Sequence, residues 1–271
     1  YESYRVICCS ESMRAELRRI FQVPEDKLTV IPNGVRPETF ASVHRDLDQW
    51  RRQWAAPEEE MVLYVGRHVF EKGVDLLLAA APKVLAHRPQ AKFIIAGDGP
   101  CHNDLKRQAW ELGLGEKVLF AGYVDDLTRN SLYHLADAAV FPSRYEPFGL
   151  VALEAMAGGA PVIVSDVGGF AETVRPEVKG LTFYAGNANS LADCIIRLLN
   201  DKPLARRLVE RAARELVEKF DWKQIAQRTV ESYRQTLPQR EAEVLYDRYQ
   251  LTAEALRKGG SVHESRNHGG R

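Results

Sequence analysis

The stretch SRYEPFGLVALEA, residues 143–155, decides the fold prediction. A β-rich run, AAVFPS (138–143), leads into it, and we expect a helix to begin near Gly149. No side chain at that position can cap the helix, so its first N–H groups are left free, and together with the helix dipole they favour an anion. The free groups belong to Phe148, Gly149, Leu150 and Val151.

Two carboxylates flank this helix start. Glu146 precedes it, and Glu154 lies almost two turns inside the predicted helix. Carboxylates around an anion-binding end fit a ligand that is an anion and also carries many hydroxyl groups. A nucleotide sugar has both properties, so the pattern predicts that pyrophosphate meets the helix while sugar and ribose hydroxyls meet the carboxylates.

Composition narrows the class of protein. The chain of 271 residues has 37 basic and 37 acidic side chains and 45% hydrophobic residues, which is ordinary for a globular protein. A net charge of zero gives no indication of a nucleic-acid surface. Four scattered cysteines without metal-ligand spacing favour a reducing, cytoplasmic location, and no metal site is expected.

Six short apolar runs alternate with helical patterns from residue 61 onward, in the order 61–66, 92–97, 117–122, 138–143, 161–166 and 179–184. Strands that are apolar on both faces and alternate with helices predict a parallel sheet covered on both sides. The fold class is therefore α/β, a Rossmann-like doubly wound sheet. In such a sheet the first and fourth strands flank the ligand crevice.

The first and fourth runs are followed by the motifs richest in functional residue types. VGRHVFEKG (65–73) follows the first run and carries Arg67 and Lys72, and the stretch quoted above follows the fourth. Taken singly, Arg67 and Lys72 would be surface charges, and Glu146 with Glu154 would be a chance spacing. Together at one crevice they predict a pyrophosphate clamp.

These motifs in this order resemble the retaining glycosyltransferases of family 4, which have the GT-B fold. The likeness rests on Gly66-Arg67, Lys72-Gly73, AGDGP (96–100) and the pair Glu146 and Glu154, and it covers about residues 1–237. It implies transfer of a hexosyl unit from a nucleotide-diphosphate sugar to an acceptor hydroxyl of a sugar, glycan or lipid. It implies no cofactor and no metal ion.

The resemblance also implies roles for individual residues. Gly66, Arg67 and Lys72 would hold the donor's phosphates, Glu146 would face the donor sugar and Glu154 would accept hydrogen bonds from the ribose. Glu146, Arg67 and Lys72 would form the catalytic group. Donor contacts would also come from the amides of Phe148, Gly149, Leu150 and Val151 and, around the base, from Phe120, Gly122 and Tyr123.

The chain divides into four predicted parts. Residues 1–36 are the last strand and helix of an N-terminal domain plus a hinge, with Ser12 as the predicted helix cap. Residues 37–220 form the nucleotide-sugar domain, beginning with a linker and one short helix. Residues 221–237 form a crossover helix, and residues 238–271 a charged, partly disordered tail. A buried strand so near Tyr1 predicts that the N-terminal half precedes it.

Several interpretations stay open. The resemblance also fits a sugar-nucleotide 2-epimerase-like enzyme, and the chain on its own fits a non-catalytic nucleotide-binding fragment. We expect little transfer activity from this chain without the N-terminal half, and peripheral membrane association of the full enzyme is left open. His68 is expected to be a solvated loop histidine, and AGDGP a tight turn, since His102 breaks the GxGxxG pattern.

Overall fold

The computed structural model describes residues 3–235. The N-terminal segment is a small unit in which strands β1 (Val6–Cys8) and β2 (Leu28–Val30) pair in parallel and helix α1 (Glu11–Phe21) connects them. Two short helices follow, α2 (Pro37–Phe40) and α3 (Leu47–Arg51), where the sequence predicted one. The cap prediction for α1 was also wrong, because Ser10 is the N-cap and its side chain accepts from the Met13 amide.

The main sheet is the predicted six-stranded parallel sheet. Its strands have the spatial order β5-β4-β3-β6-β7-β8, so the chain winds outward in both directions from the β3–β6 junction. This is the doubly wound order that the sequence predicted. The elements are β3 (Glu60–Val65), α4 (Val74–His87), β4 (Ala91–Ala96), α5 (His102–Glu111), β5 (Val118–Gly122), α6 (Asp126–Leu135), β6 (Ala138–Phe141), α7 (Leu150–Ala157), β7 (Val162–Ser165), α8 (Phe170–Thr173) and β8 (Gly180–Phe183).

Helices cover both faces of this sheet, which explains why its strands are apolar throughout. On β3, Val62 and Tyr64 join one buried cluster, while Met61 and Leu63 join the cluster on the opposite face. Successive residues of a strand point to opposite faces, so a strand buried on both sides must be apolar at every position. The core therefore lies in two layers, and the loops at the strand ends are free to carry chemistry.

Three helices complete the described chain: α9 (Ala188–Asn200), α10 (Lys202–Lys219) and α11 (Trp222–Arg234). Helix α11 returns to the N-terminal segment, where Arg228 Nη2 donates to the Val30 carbonyl at 3.0 Å. The Val35 amide likewise bonds to the Phe220 carbonyl at 2.8 Å. The predicted tail, 238–271, lies outside the described residues.

The cysteines behave as packing residues. Burial raises the pKa of the Cys8, Cys9 and Cys194 thiols, so each is held in its unreactive protonated form. Among residues 3–235 no helix combines the length and apolarity that crossing a bilayer requires.

Candidate functional site

Lys72 and Glu146 meet at the crevice between β3 and β6. Lys72 Nζ lies 2.7 Å from Glu146 Oε2, although 73 residues separate the two positions in sequence. Ser143 Oγ donates to the same carboxylate oxygen at 3.2 Å, and the Glu146 side chain is only 8% exposed. A nearly buried carboxylate needs such partners, and an ammonium with three donors can hold it and still bind another anion.

Helix α7 begins beside this ion pair without a side-chain cap. Its N-cap is Gly149, with φ of 95°, and no side chain bonds to the helix start. Across the part of the chain that the structure describes, the amides of residues 148–151 have no backbone acceptor. The prediction of an open helix end is therefore confirmed in geometry, and the position matches the switch point of the sheet.

Glycines allow the loops at this edge to approach closely. A Cβ on Gly73 would lie 2.0 Å from the Pro142 carbonyl oxygen, and one on Gly169 would lie 2.2 Å from Phe148 Cα. The Gly169 amide also donates to the Glu146 carbonyl at 2.8 Å. The loop after β7 therefore supports the Glu146 loop.

Arg144 joins the two predicted donor loops, and sequence reasoning missed it. Its guanidinium makes a bidentate pair with Asp75 at 2.7 and 2.6 Å and donates to the Phe70 carbonyl at 3.0 Å. Its own amide donates to the Glu71 carbonyl at 2.7 Å. These contacts fix the segment that carries Lys72 against the segment that carries Glu146.

Glu172 also escaped the sequence analysis. Its two carboxylate oxygens accept from the amides of Glu11 and Ser12, each at 2.8 Å, at the start of α1. Ser10 Oγ lies 2.6 Å from the Pro147 carbonyl oxygen, to which it donates. The N-terminal segment is thus attached directly to the loop that follows Glu146.

Arg67 stands apart from these contacts. Its side chain is exposed, and within residues 3–235 no hydrogen bond or ion pair engages the guanidinium. Its carbonyl accepts from Tyr64 Oη at 2.9 Å, and Gly66 lies against Gly97, where an added Cβ would be 1.9 Å from the Gly66 carbonyl oxygen. The loop is well fixed, and its cationic group is free to meet an anion.

Glu154 lies on α7, where its charged neighbours are Arg129 and Asp126. Burial raises the pKa of its carboxyl; the positive charge of Arg129 opposes that rise, and the negative charge of Asp126 adds to it. Among the described residues no hydrogen bond engages this half-buried carboxylate, so it is costly to keep charged.

The residues predicted around the base lie at the end of β5, two strands from β3 and so about 10 Å away. Tyr123 is 87% exposed, and Gly122 has φ of 66° and accepts from the Gly97 amide at 2.7 Å. The Phe120 ring packs edge-on against two imidazoles, those of His68 and His102.

The prediction that His68 is solvated was wrong. Its side chain is fully buried, and its ring lies nearly parallel and edge to edge with that of His102, with the Nδ1 atoms 2.9 Å apart. Burial, with a smaller contribution from the neighbouring His102, lowers the pKa of His68 to about 4 against the opposing effect of Asp98, so the imidazole is neutral at pH 7. The residues next to His68 in sequence do not indicate its burial, because the residues that cover its side chain lie at the start of α5.

Comparison with known proteins identifies the family. The model described as "Glycosyl transferases group 1" matches residues 46–215, more than half of the chain, and the protein therefore belongs to that family. A second model, "Glycosyltransferase Family 4", matches residues 2–39.

Relatives and solved structures agree with this family. An uncharacterised glycosyltransferase of Methanocaldococcus jannaschii is 42% identical over 237 residues, which is 86% of this chain and 60% of that protein. Glycogen synthase of Mycobacterium tuberculosis is 36% identical over 86% of this chain and 54% of its own. This chain thus spans little more than half the length of these relatives.

Two solved structures show the same architecture. Sucrose-phosphate synthase of Thermosynechococcus elongatus superimposes with a TM-score of 0.75 and 36% identity, over 85% of this chain and 57% of that one. An Anabaena protein, Alr3699/HepE, solved in complex with UDP and glucose, gives a TM-score of 0.77 and 25% identity, over 85% and 63% of the two chains.

Proposed function

We propose that this chain is the donor-binding part of a retaining glycosyltransferase that moves a hexosyl unit from a nucleotide-diphosphate sugar to an acceptor hydroxyl. The observation that carries the proposal is the convergence of the Lys72–Glu146 pair and the uncapped start of α7 at the β3–β6 junction. Family membership and the UDP-bound Anabaena structure support the nature of the ligand.

The chemistry that these residues supply is stabilisation of the leaving group. When the bond between the anomeric carbon and the diphosphate oxygen breaks, its electron pair stays on the diphosphate. Lys72, the exposed Arg67 and the free amides of residues 148–151 place positive charge and donors where that negative charge grows. Fixed cationic groups then perform the task that a metal ion performs in other transferases.

Glu146 and Glu154 orient the donor. Glu146 is held by Lys72 and Ser143, and it offers a carboxylate oxygen to hydroxyls of the donor sugar. Glu154 accepts from the ribose, and the end of β5 at Phe120, Gly122 and Tyr123 meets the base. Several relatives carry the names of transferases or synthases, which favours transfer over epimerisation.

Calorimetric titration of the purified chain with UDP, GDP and ADP tests the proposal. We expect one nucleotide to bind, and we expect Lys72→Ala and Arg67→Ala each to weaken it by about 10- to 100-fold, the loss of one charge-assisted hydrogen bond. Lys106→Ala, an exposed lysine on α5, is the matched control.

Unchanged nucleotide affinity in both active-site variants would contradict the residue assignment. We further propose that acceptor binding belongs to a part of the enzyme other than this chain, so the chain alone has little transfer activity. Robust turnover of a UDP-sugar by the purified chain would refute that second statement without affecting the first.

A further inference from the structure

Two histidines and an aspartate converge at the carboxyl ends of β3 and β4. His68 follows β3, while Asp98 and His102 lie on the β4–α5 connection, and one ligand atom of each lies within 4.8 Å of the others. Asp98 Oδ1 is 3.6 Å from His102 Nδ1, which is itself 2.9 Å from His68 Nδ1. The proposed donor chemistry uses none of these three side chains.

We propose that His68, His102 and Asp98 bind a divalent transition-metal ion of the class that prefers imidazole ligands, such as Zn²⁺. This site goes beyond the proposed function and does not depend on it. Imidazole and carboxylate ligands together suit Zn²⁺, which takes three protein ligands and leaves a further position open.

The separation of the nitrogens fits a shared ion. Two nitrogen ligands at roughly 2.0–2.1 Å from one tetrahedral Zn²⁺ lie about 3.3 Å apart. The observed 2.9 Å between the two Nδ1 atoms therefore needs an increase of about 0.4 Å, together with a turn of the rings that directs both lone pairs at the ion. The Asp98 side chain is 71% exposed, so it can rotate toward the ion without disturbing packing.

Proton counting leaves the cluster incomplete without a cation. If His68 Nδ1–H donates to His102 Nδ1, that nitrogen presents no proton to the Asp98 carboxylate beside it. If His102 donates instead, the proton of neutral His68 moves to Nε2, which is buried and has no partner among the described residues. A single proton cannot bond to both Nδ1 atoms and the Asp98 carboxylate at once, whereas a single metal cation can coordinate all three.

The imidazole of His68 is suited to ligation. It is fully buried, and its Nδ1 already faces the nitrogen of a second imidazole. Its ring is held by the edge-to-edge contact with His102 and by the Phe120 ring, which packs nearly at right angles to it. An ion held there would join the Arg67 loop to the start of α5.

Equilibrium dialysis and calorimetry of the metal-stripped full chain with Zn²⁺ test the proposal, with Co²⁺ absorption reporting ligand geometry. We expect one ion to bind at micromolar concentration or below, and we expect His102→Ala and Asp98→Asn each to weaken it by at least about tenfold. His134→Ala, an exposed histidine on α6, should leave this binding intact.

The Asp98 side chain is largely exposed and that of His102 is partly buried, so thermal unfolding of the metal-free variants checks that they fold. Histidines outside the described residues bind equally in every variant, so the difference between the parent chain and His102→Ala is the quantity read. The absence of saturable binding, or equal binding in His102→Ala and the parent chain, would overturn the proposal.

Discussion

Helices α1 and α7 begin on either side of Pro147, and they begin in opposite ways. At α1 the protein satisfies the first amides itself: Ser10 Oγ accepts from Met13, and Glu172 accepts from Glu11 and Ser12. At α7 the N-cap is a glycine, and no side chain reaches the helix start. Both ends carry the same positive dipole, and only one has been neutralised by the chain.

The contrast separates a helix start that attaches the N-terminal segment from one that we propose binds the donor. A capping carboxylate strengthens attachment, and here it fastens the N-terminal segment to the sheet. An uncapped start beside the Lys72–Glu146 pair forgoes that stabilisation, and its donors stay available for an anion. Substitutions at the start of α1 should therefore change mainly the attachment of the N-terminal segment. Substitutions at the start of α7 should also change the proposed donor binding.

The largest expected effect is on the uncapped end. Gly149→Ala should lower the free energy of unfolding by about 2–4 kcal/mol, because the residue has a left-handed φ and a Cβ would lie 2.5 Å from the Phe170 ring. Urea unfolding measures the change. Gly159→Ala is the matched control, with φ of 82° and no atom within 4 Å of the added Cβ, and should cost about 1 kcal/mol. Equal losses in the two variants would show that packing at α7 does not select glycine.

A smaller effect is expected at the capped end. Glu172→Ala should reduce stability by about 1 kcal/mol, since it removes the acceptor for two amides of α1. Hydrogen exchange at Glu11 and Ser12 should quicken in the same variant. Glu210→Ala, an exposed glutamate on α10, serves as control. Unaltered exchange at both amides would mean that the carboxylate is not holding the helix.

The smallest change in stability is expected at Glu154. Because burial raises the pKa of this carboxyl, the folded protein binds its proton more tightly than the unfolded chain does, and the cost of ionising it appears as pH rises above the usual value of 4.5. Glu154→Gln should therefore be more stable than the parent at pH 7, and the advantage should fade near pH 4.

The same variant should bind UDP about tenfold more weakly if Glu154 accepts from the ribose. Denaturation at both pH values and calorimetry at pH 7 give the two readouts. A variant that gains stability and keeps full UDP affinity would show that Glu154 is merely a buried carboxyl.

The sequence contained much of the fold and part of the site. Apolar runs on both faces and the alternation with helices predicted the sheet order, and the letters around Gly149 predicted the open helix start. These features depend on residues close together in the chain, so they can be recognised from a short stretch of sequence. The contact from Glu172 to Glu11 spans 161 residues, and the Arg144–Asp75 pair spans 69, so neither leaves a periodic trace. His68 was misread for the same reason, since its cover comes from α5 and Phe120.

The attachment at Pro147 has a mechanical consequence. The side chains of Cys9 and Ser10 both donate to the Pro147 carbonyl. The Glu172 carboxylate accepts from the amides of the next two residues, Glu11 and Ser12. A rotation of α1 must either break these bonds or pull the peptide that follows Glu146. A movement of the N-terminal segment would therefore be transmitted to the Glu146 carboxylate that pairs with Lys72, and it would change the shape of the crevice.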